Sequence, residues 1–304
     1  MDDGPDAGAE VGFATSLEPL PGGHSGETFL AGAGGERTVV RVYAGRSAAR
    51  GPLAPEVDAA VLALVRDVLP VPDVLEVRRG DPGTGLPGLL VTSHLPGVPL
   101  DRVLPDLDDA GLGRVGERLG VLVGRLGLAL QPRAGRFTDR RLVAEEPLPG
   151  LDALLDAAAP ALPDGLVEAL RDVVDDAEDL LADDRHGRRV LVHGDLDPPN
   201  VLVDPATLEV TGLVDWELAH AGGPWEDLGA LLRHAPQPAL RAGVLAAYAS
   251  LVPGVPDDVA ERAAAADLAA LLDLAGRADG TGPSDDARRL LERAAGWTLP
   301  PGGA

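Results

Sequence analysis

Val190-Leu191-Val192-His193-Gly194-Asp195-Leu196-Asp197-Pro198-Pro199-Asn200-Val201-Leu202-Val203, followed by Leu213-Val214-Asp215-Trp216-Glu217, alternates apolar anchors with polar residues that can all point into one cleft. Asp and Gly abound in this chain, so His193-Gly194-Asp195 alone would read as an ordinary turn. Asn200 changes that reading. The chain has no Lys and no Ile, its 26 Lys-plus-Arg positions are all Arg, and Asn200 is its sole Asn. The scarce residue types share AT-rich codons, which points to a GC-rich genome and makes the abundance of Ala, Gly, Arg and Asp uninformative. In that composition the surviving Asn falls shortly after Asp195 and directly before an apolar strand. An Asx turn could account for it, but would need no second acid at Asp215.

Moving a phosphoryl group to a hydroxyl requires a carboxylate to orient and deprotonate the attacking oxygen, and oxygen ligands to hold magnesium across the nucleotide phosphates. Asp195 fits the first task, and Asn200 and Asp215 fit the second. Segments 201–203 and 211–214 read as two short strands turning at Asp204-Pro205, which would bring Asn200 and Asp215 back side by side.

His193-Gly194-Asp195 with Asn200, then Val214-Asp215-Trp216-Glu217 and Gly222-Gly223-Pro224-Trp225-Glu226-Asp227-Leu228, resembles the aminoglycoside phosphotransferase family. The likeness runs over roughly residues 17 to 296 and is most specific from 190 to 232. It implies a protein-kinase-like fold and phosphorylation of hydroxyls on antibiotics or small metabolites, with ATP and Mg²⁺. It further implies Asp195 as catalytic base, Asn200 and Asp215 as metal ligands, and Asp227 as a brace for the catalytic loop. Asp227 can equally be an acid at a helix start, with Pro224 near the first turn.

Outward from this stretch, the first third reads as strands between glycine clusters: a strand up to Leu20, the turn Pro21-Gly22-Gly23-His24-Ser25-Gly26, then strands at 28–31 and 38–43. Pro52 and Pro55 precede a helix carrying Val57, Val61, Leu62, Leu64 and Val65, and strands follow around 74–77 and 89–92. Gly22, Gly23, Ser25 and Gly26 would let backbone amides approach ATP phosphates, though a plain hairpin reads the same way. Arg41 interrupts the apolar strand Val39-Val40-Arg41-Val42-Tyr43 where the family commonly carries Lys; it would bind phosphates and be held by the helical acid Glu56, or else face solvent. Thr92-Ser93-His94-Leu95 is the hinge candidate, with the Ser93 and Leu95 backbone offered to an adenine edge as the resemblance implies. Pro199 departs from the family's usual Gly or polar residue and would stiffen the loop.

Beyond the turn at His94-Leu95-Pro96-Gly97 the pattern becomes helical: 110–130, 151–158, 166–181, and about four segments from Trp225 to the end. The expected architecture is α+β and bilobal, with a β-rich nucleotide-binding lobe over 1–95 and a mainly helical catalytic and substrate-binding lobe over 96–304. Residues 1–10 and the tail from Pro300 are expected to fray. A lack of Lys removes a Walker-type phosphate loop, and a net charge of −23 argues against non-specific nucleic-acid binding. With no Cys, thiolate nucleophiles and Cys-based metal sites are out, and a reducing compartment is compatible. No basic leader precedes an apolar run and no apolar stretch is long enough to span a membrane, so a cytoplasmic protein is expected.

Between Leu151 and Arg185 there are nine Asp and two Glu against two Arg. Such a run either steers a cationic acceptor to the cleft or is a solvated helix face. His24, His94, His186, His220 and His234 lack metal-ligand spacing and read as surface or structural residues, His193 as a shaper of the loop, and Trp216 and Trp225 as packing residues. The expected activity is phosphoryl transfer to a small-molecule hydroxyl. A kinase-like pseudoenzyme is the alternative, and a protein kinase is disfavoured because Asp215 is followed by Trp216-Glu217 and no A-P-E segment occurs.

Overall fold

β-Branched and apolar runs between glycine-rich turns fold the first third into one antiparallel sheet. The computed structural model describes residues 16–20, 28–33, 36–44, 47, 50–182, 187–277 and 282–296. Strands β1 (Ser16–Pro19), β2 (Thr28–Ala33), β3 (Glu36–Tyr43), β4 (Val74–Arg78) and β5 (Gly88–Ser93) lie in the order β1-β2-β3-β5-β4. Arg41 stands on the central strand, opposite Thr28 on one side and Leu90 on the other. Helix α1 (Ala54–Val65), with proline in its first turn, buries Val57, Val61, Leu62 and Val65, the i, i+4 stripe expected of it. Leu64 points outward.

The rest of the chain is mainly helical: α2 (Asp109–Leu126), α3 (Leu151–Ala158), α4 (Asp164–Ala182), α5 (Glu226–Arg233), α6 (Pro238–Leu251), α7 (Val259–Gly276) and α8 (Gly282–Ala294). The helix expected over 110–130 is shorter than its apolar pattern. It closes at Gly127, and Leu130–Gln131 becomes a strand, β7, pairing with β10 (Arg189–Val192). The helical part also holds more strand than the sequence suggests. β8 (Gly135–Phe137), β9 (Ala144–Glu146) and β13 (His220–Gly222) complete a sheet ordered β7-β10-β13-β8-β9. The expected hairpin, β11 (Val201–Val203) and β12 (Val210–Leu213), carries a third strand, β6 (Val98–Pro99), on its edge.

One apolar core continues from Tyr43, Val61 and Leu90 through Leu100 and Leu119 to Leu196, Val201, Leu213 and Tyr248. A second, smaller core joins α3 and α4 to α7 and α8 around Leu155, Leu170, Leu272 and Leu291. Helices α2 and α6 meet backbone to backbone. A Cβ on Gly120 would lie 2.3 Å from the Val244 carbonyl oxygen and 2.8 Å from the Ala247 Cβ, and one on Gly116 would lie 2.3 Å from the Leu240 carbonyl oxygen. Neither backbone can yield without separating the helices. Gly120→Val is therefore expected to destabilise by about 3 kcal/mol, read as a thermal midpoint lower by about 6–12 °C. An unchanged midpoint would show that α2 and α6 are not in close approach.

Candidate active site

Strand β10 ends in the core and delivers His193-Gly194-Asp195 to its edge. The loop is held from behind by Asp227, in the first turn of α5, whose carboxylate accepts the His193 amide at 2.8 Å and the Gly194 amide at 3.1 Å. Asp227 thus meets both expectations at once, brace and helix-start acid. Burial raises its carboxyl above the ordinary range, while the two amides favour the ionised form. Gly194 has φ +82°, and a Cβ there would lie 2.5 Å from the Leu218 carbonyl oxygen, so the turn accepts only glycine.

His193 is fully buried and packs against Trp216, the ring centres 4.5 Å apart and tilted by 57°. Its Nδ1 accepts the Asp195 amide at 3.2 Å, which leaves Nε2 to donate to the Val214 carbonyl at 3.0 Å. Burial pushes the imidazole down to about 4, so it stays neutral and shapes the loop, as expected. Through it the Asp195 turn is tied to the segment that carries Asp215.

Asp195 and Asn200 are joined directly. Asn200 Nδ2 donates to the Asp195 carbonyl and to its Oδ2, each at 2.9 Å. Pro198 and Pro199 occupy the start of a short 3-10 turn, where a missing amide costs nothing, and Asn200 N donates to Asp197 O at 2.9 Å. Burial, then the neighbouring Asp197 and Asp215 carboxylates, push the Asp195 carboxyl up to about 7. β12 returns alongside: Val214 N donates to Asn200 O at 3.0 Å, so Asp215 follows immediately. Asp215 has φ +66° and ψ 59°, a left-handed conformation that a non-glycine residue adopts at a cost.

Arg41 reaches into the same cleft rather than facing solvent; its side chain is 13% exposed. Its partner is not Glu56. Nη1 donates to Asp215 Oδ1 at 2.7 Å, and Nη2 donates to Glu217 Oε2. Glu56 is instead held by Arg79, which donates to both of its carboxylate oxygens. Burial opposes the Arg41 charge, but Asp215 and then Glu217 hold the guanidinium above its ordinary range. Arg41, Asp195, Asn200 and Asp215 are thereby brought together. Gly22, Gly23, Ser25 and Gly26 lie outside the described residues, as do His24 and His186.

Two expectations at the hinge divide. Ser93 N donates to Asp73 O at 2.8 Å and Ser93 Oγ accepts Asp73 N at 2.9 Å, so Ser93 secures the β5 end and its amide is taken. Leu95 lies farther along, against Gly212 of β12. A buried ion cluster behind the loop escaped the sequence reading: Arg233 donates to Asp197 at 2.9 Å and to Asp267 at 2.6 Å, and His234 lies 3.1 Å from Asp197. Burial works against the Asp197 charge, but His234 and Arg233 hold its carboxyl below the usual range. Asp197 stood inside the quoted stretch as a possible signal; Arg233 and Asp267, on α5 and α7, carried none. His220, paired with Glu226 at 2.8 Å, is structural, and Trp216 and Trp225 are buried packing residues. The many Asp side chains of α3 and α4 lie on their solvent faces, and these helices pack on α7 and α8.

Residues 16–265 match the sequence profile of the APH phosphotransferase enzyme family. The chain belongs to this family. Streptomycin 3''-kinase of Streptomyces griseus is 33% identical over 205 residues, covering 60% of this phosphotransferase and 68% of that protein. Aminoglycoside 3'-phosphotransferase of Streptomyces fradiae is 34% identical over 161 residues, covering 50% and 53%, so this chain spans about half the length of that relative. Among solved structures, a thermostable mutant of aminoglycoside phosphotransferase APH(4)-Ia in ternary complex with AMP-PNP and hygromycin B superposes with a TM-score of 0.67 at 21% identity over 92% of each chain. A GDP complex of a mutant aminoglycoside 2'-phosphotransferase IIIa gives 0.68 at 19% identity over 94% and 93%. At those identities the structures bear on fold alone, and that fold is the bilobal protein-kinase-like one. This phosphotransferase is a small-molecule kinase; its relatives lend no support to a pseudoenzyme. Among the described residues no helix is long and apolar enough to cross a membrane.

Proposed function

We propose that this phosphotransferase acts in the cytoplasm, uses ATP and Mg²⁺, and transfers the γ-phosphoryl group to a hydroxyl of an amine-bearing small molecule, such as an aminoglycoside-like antibiotic or an amino alcohol. One observation carries the reading: a half-buried Asp195, its carboxyl pushed up to about 7, fixed by the chain's sole Asn and beside Asp215. Asp195 orients the acceptor hydroxyl and takes its proton as the hydroxyl oxygen bonds to the γ-phosphorus and the bond to the leaving ADP oxygen breaks.

Asn200 and Asp215 would hold the metal. Because Asn200 Nδ2 makes both bonds to Asp195, its Oδ1 is left for a cation, and with the Asp215 carboxylate it makes a hard oxygen pair that suits Mg²⁺. Among the described residues no group of three or more His, Cys, Asp or Glu could hold a metal ion. Mg²⁺ in such sites is held by one or two protein carboxylates together with nucleotide phosphates. Bound Mg²⁺ supplies charge neutralisation on the phosphates. Arg41 and the backbone amides of Gly22, Gly23, Ser25 and Gly26 would bind phosphate oxygens, and the Leu95 backbone would meet the adenine edge. Residues through 95 then form the nucleotide lobe, and those from 96 onward the catalytic and acceptor lobe.

An amine-bearing acceptor is supported by the relatives named for streptomycin and aminoglycosides, and by the acids gathered at Asp195, Asp215 and Glu217. The test is ATP consumption with Mg²⁺ over amine-bearing antibiotics and amino alcohols, with the phosphorylated product identified by mass. Acceptor-dependent ADP formation is expected. Phosphorylation confined to acceptors without an amine would overturn the substrate class.

A further inference from the structure

We infer that Glu217, and not an acid of helix α1, is the positioning residue for the phosphate-binding Arg41. The inference rests on the proposed function, since that reading puts nucleotide phosphates at Arg41.

A guanidinium rooted in an apolar strand needs its charge met where the side chain ends, or burial displaces it. Helix α1 offers two acids near the sheet, and both are occupied. Arg79 binds Glu56 at 3.0 and 2.9 Å. Asp58, only 3% exposed, accepts Arg50 at both oxygens, 2.8 and 2.5 Å, and the Tyr43 hydroxyl at 2.6 Å. Arg41 lies with its guanidinium 5.5 Å from the Tyr43 ring centre, and its terminal nitrogens part between two acids: Nη1 to Asp215 and Nη2 to Glu217.

Arg makes that division with two nitrogens held in a rigid fork, where Lys would have to share one ammonium between both acids. Where Asp215 gives its Oδ1 to a metal, the Nη1 bond is lost and Glu217 remains the anchor on Nη2. The anchor is itself well fixed. Neighbouring Trp216 is buried, donates from Nε1 to the Leu213 carbonyl at 3.1 Å and packs at a tilt against His193. The turn Trp216–Leu218 also contacts α1. The cation of the small lobe is thus set by the metal-side loop of the large lobe and not by a helix acid.

The test is calorimetric binding of ADP to the full-length protein without divalent metal, with thermal midpoints of the ligand-free variants. E217Q is expected to weaken ADP binding about tenfold with an unchanged midpoint; R41A should weaken it at least as much, and R41A/E217Q no further than R41A alone. E56Q, which removes the acid that sequence order offers, should leave the dissociation constant within about twofold. Should E217Q not fold, E217D keeps the charge one methylene short and should fall between wild type and R41A. Wild-type ADP affinity in E217Q, a fall in its midpoint without weaker binding, additive losses, or a tenfold loss in E56Q would each overturn the inference while ADP binding by the wild type leaves the functional reading standing. No ADP binding by the wild type would overturn both.

Discussion

Asp195→Asn is expected to lower kcat by about 10²–10⁴-fold while ADP binding stays intact, because the acceptor hydroxyl loses the group that takes its proton. The substitution preserves shape. An Asn at this position can still present an oxygen to the Asn200 amide, which now donates to Asp195 Oδ2 at 2.9 Å. The pH profile adds a second signature. The base must be ionised, and burial followed by the Asp197 and Asp215 charges places its titration at about 7, so wild-type kcat/KM should rise with pH through about 7 and then level off. The residual activity of D195N should lack that limb. Stability should move the other way. The Asp195 carboxyl ionises near 3.8 when unfolded and near 7 when folded, so its burial costs nothing below the lower value and an increasing amount as pH rises between the two. D195N removes that cost and is expected to melt above wild type at pH 8 but not at pH 4. Near-normal turnover by D195N would end the assignment.

Asp215→Asn is the second large effect, about 10²–10³-fold in kcat, because a charged oxygen ligand beside the transferring group is replaced by a neutral one. Asn is chosen because it tolerates the left-handed backbone at this position as Asp does. Two binding measurements should separate. Mg²⁺-dependent tightening of ADP should shrink, since the ion loses its carboxylate. Metal-free ADP binding should hold or tighten, since Arg41 Nη1 no longer faces an Asp215 carboxylate that competes with phosphate. Unchanged Mg²⁺ dependence in D215N would place the metal elsewhere.

Much of this site could be read from the chain because its chemistry is local. Asp195, Asn200 and Asp215 sit at fixed offsets from apolar runs that became β10, β11 and β12, and the β11–β12 register of Val201 with Leu213 is what sets Asn200 beside the approach to Asp215. Strands β2, β3 and β5 and helix α1 were equally legible, the strands as β-branched and apolar runs near glycine clusters and the helix from an apolar stripe that agrees with its burial. The failures have a common cause. β7, β8, β9 and β13 are two or three residues long, too short to show a period of two, and form by pairing in turn: β7 and β13 on β10, β8 on β13, and β9 on β8. The choice of Glu217 over Glu56 by Arg41, and the Arg233 cluster with Asp197 and Asp267, depend on where long side chains end in space, which no offset along the chain records.

Transfer of labelled γ-phosphate from ATP to a panel of amine-bearing antibiotics and amino alcohols, run in parallel for wild type and D195N with ADP affinity measured on the same preparations, tests the central claim most directly. Label should pass to an acceptor hydroxyl in the wild type and fall by about 10²–10⁴-fold in D195N at unchanged ADP affinity. Equal transfer by the two proteins would contradict it.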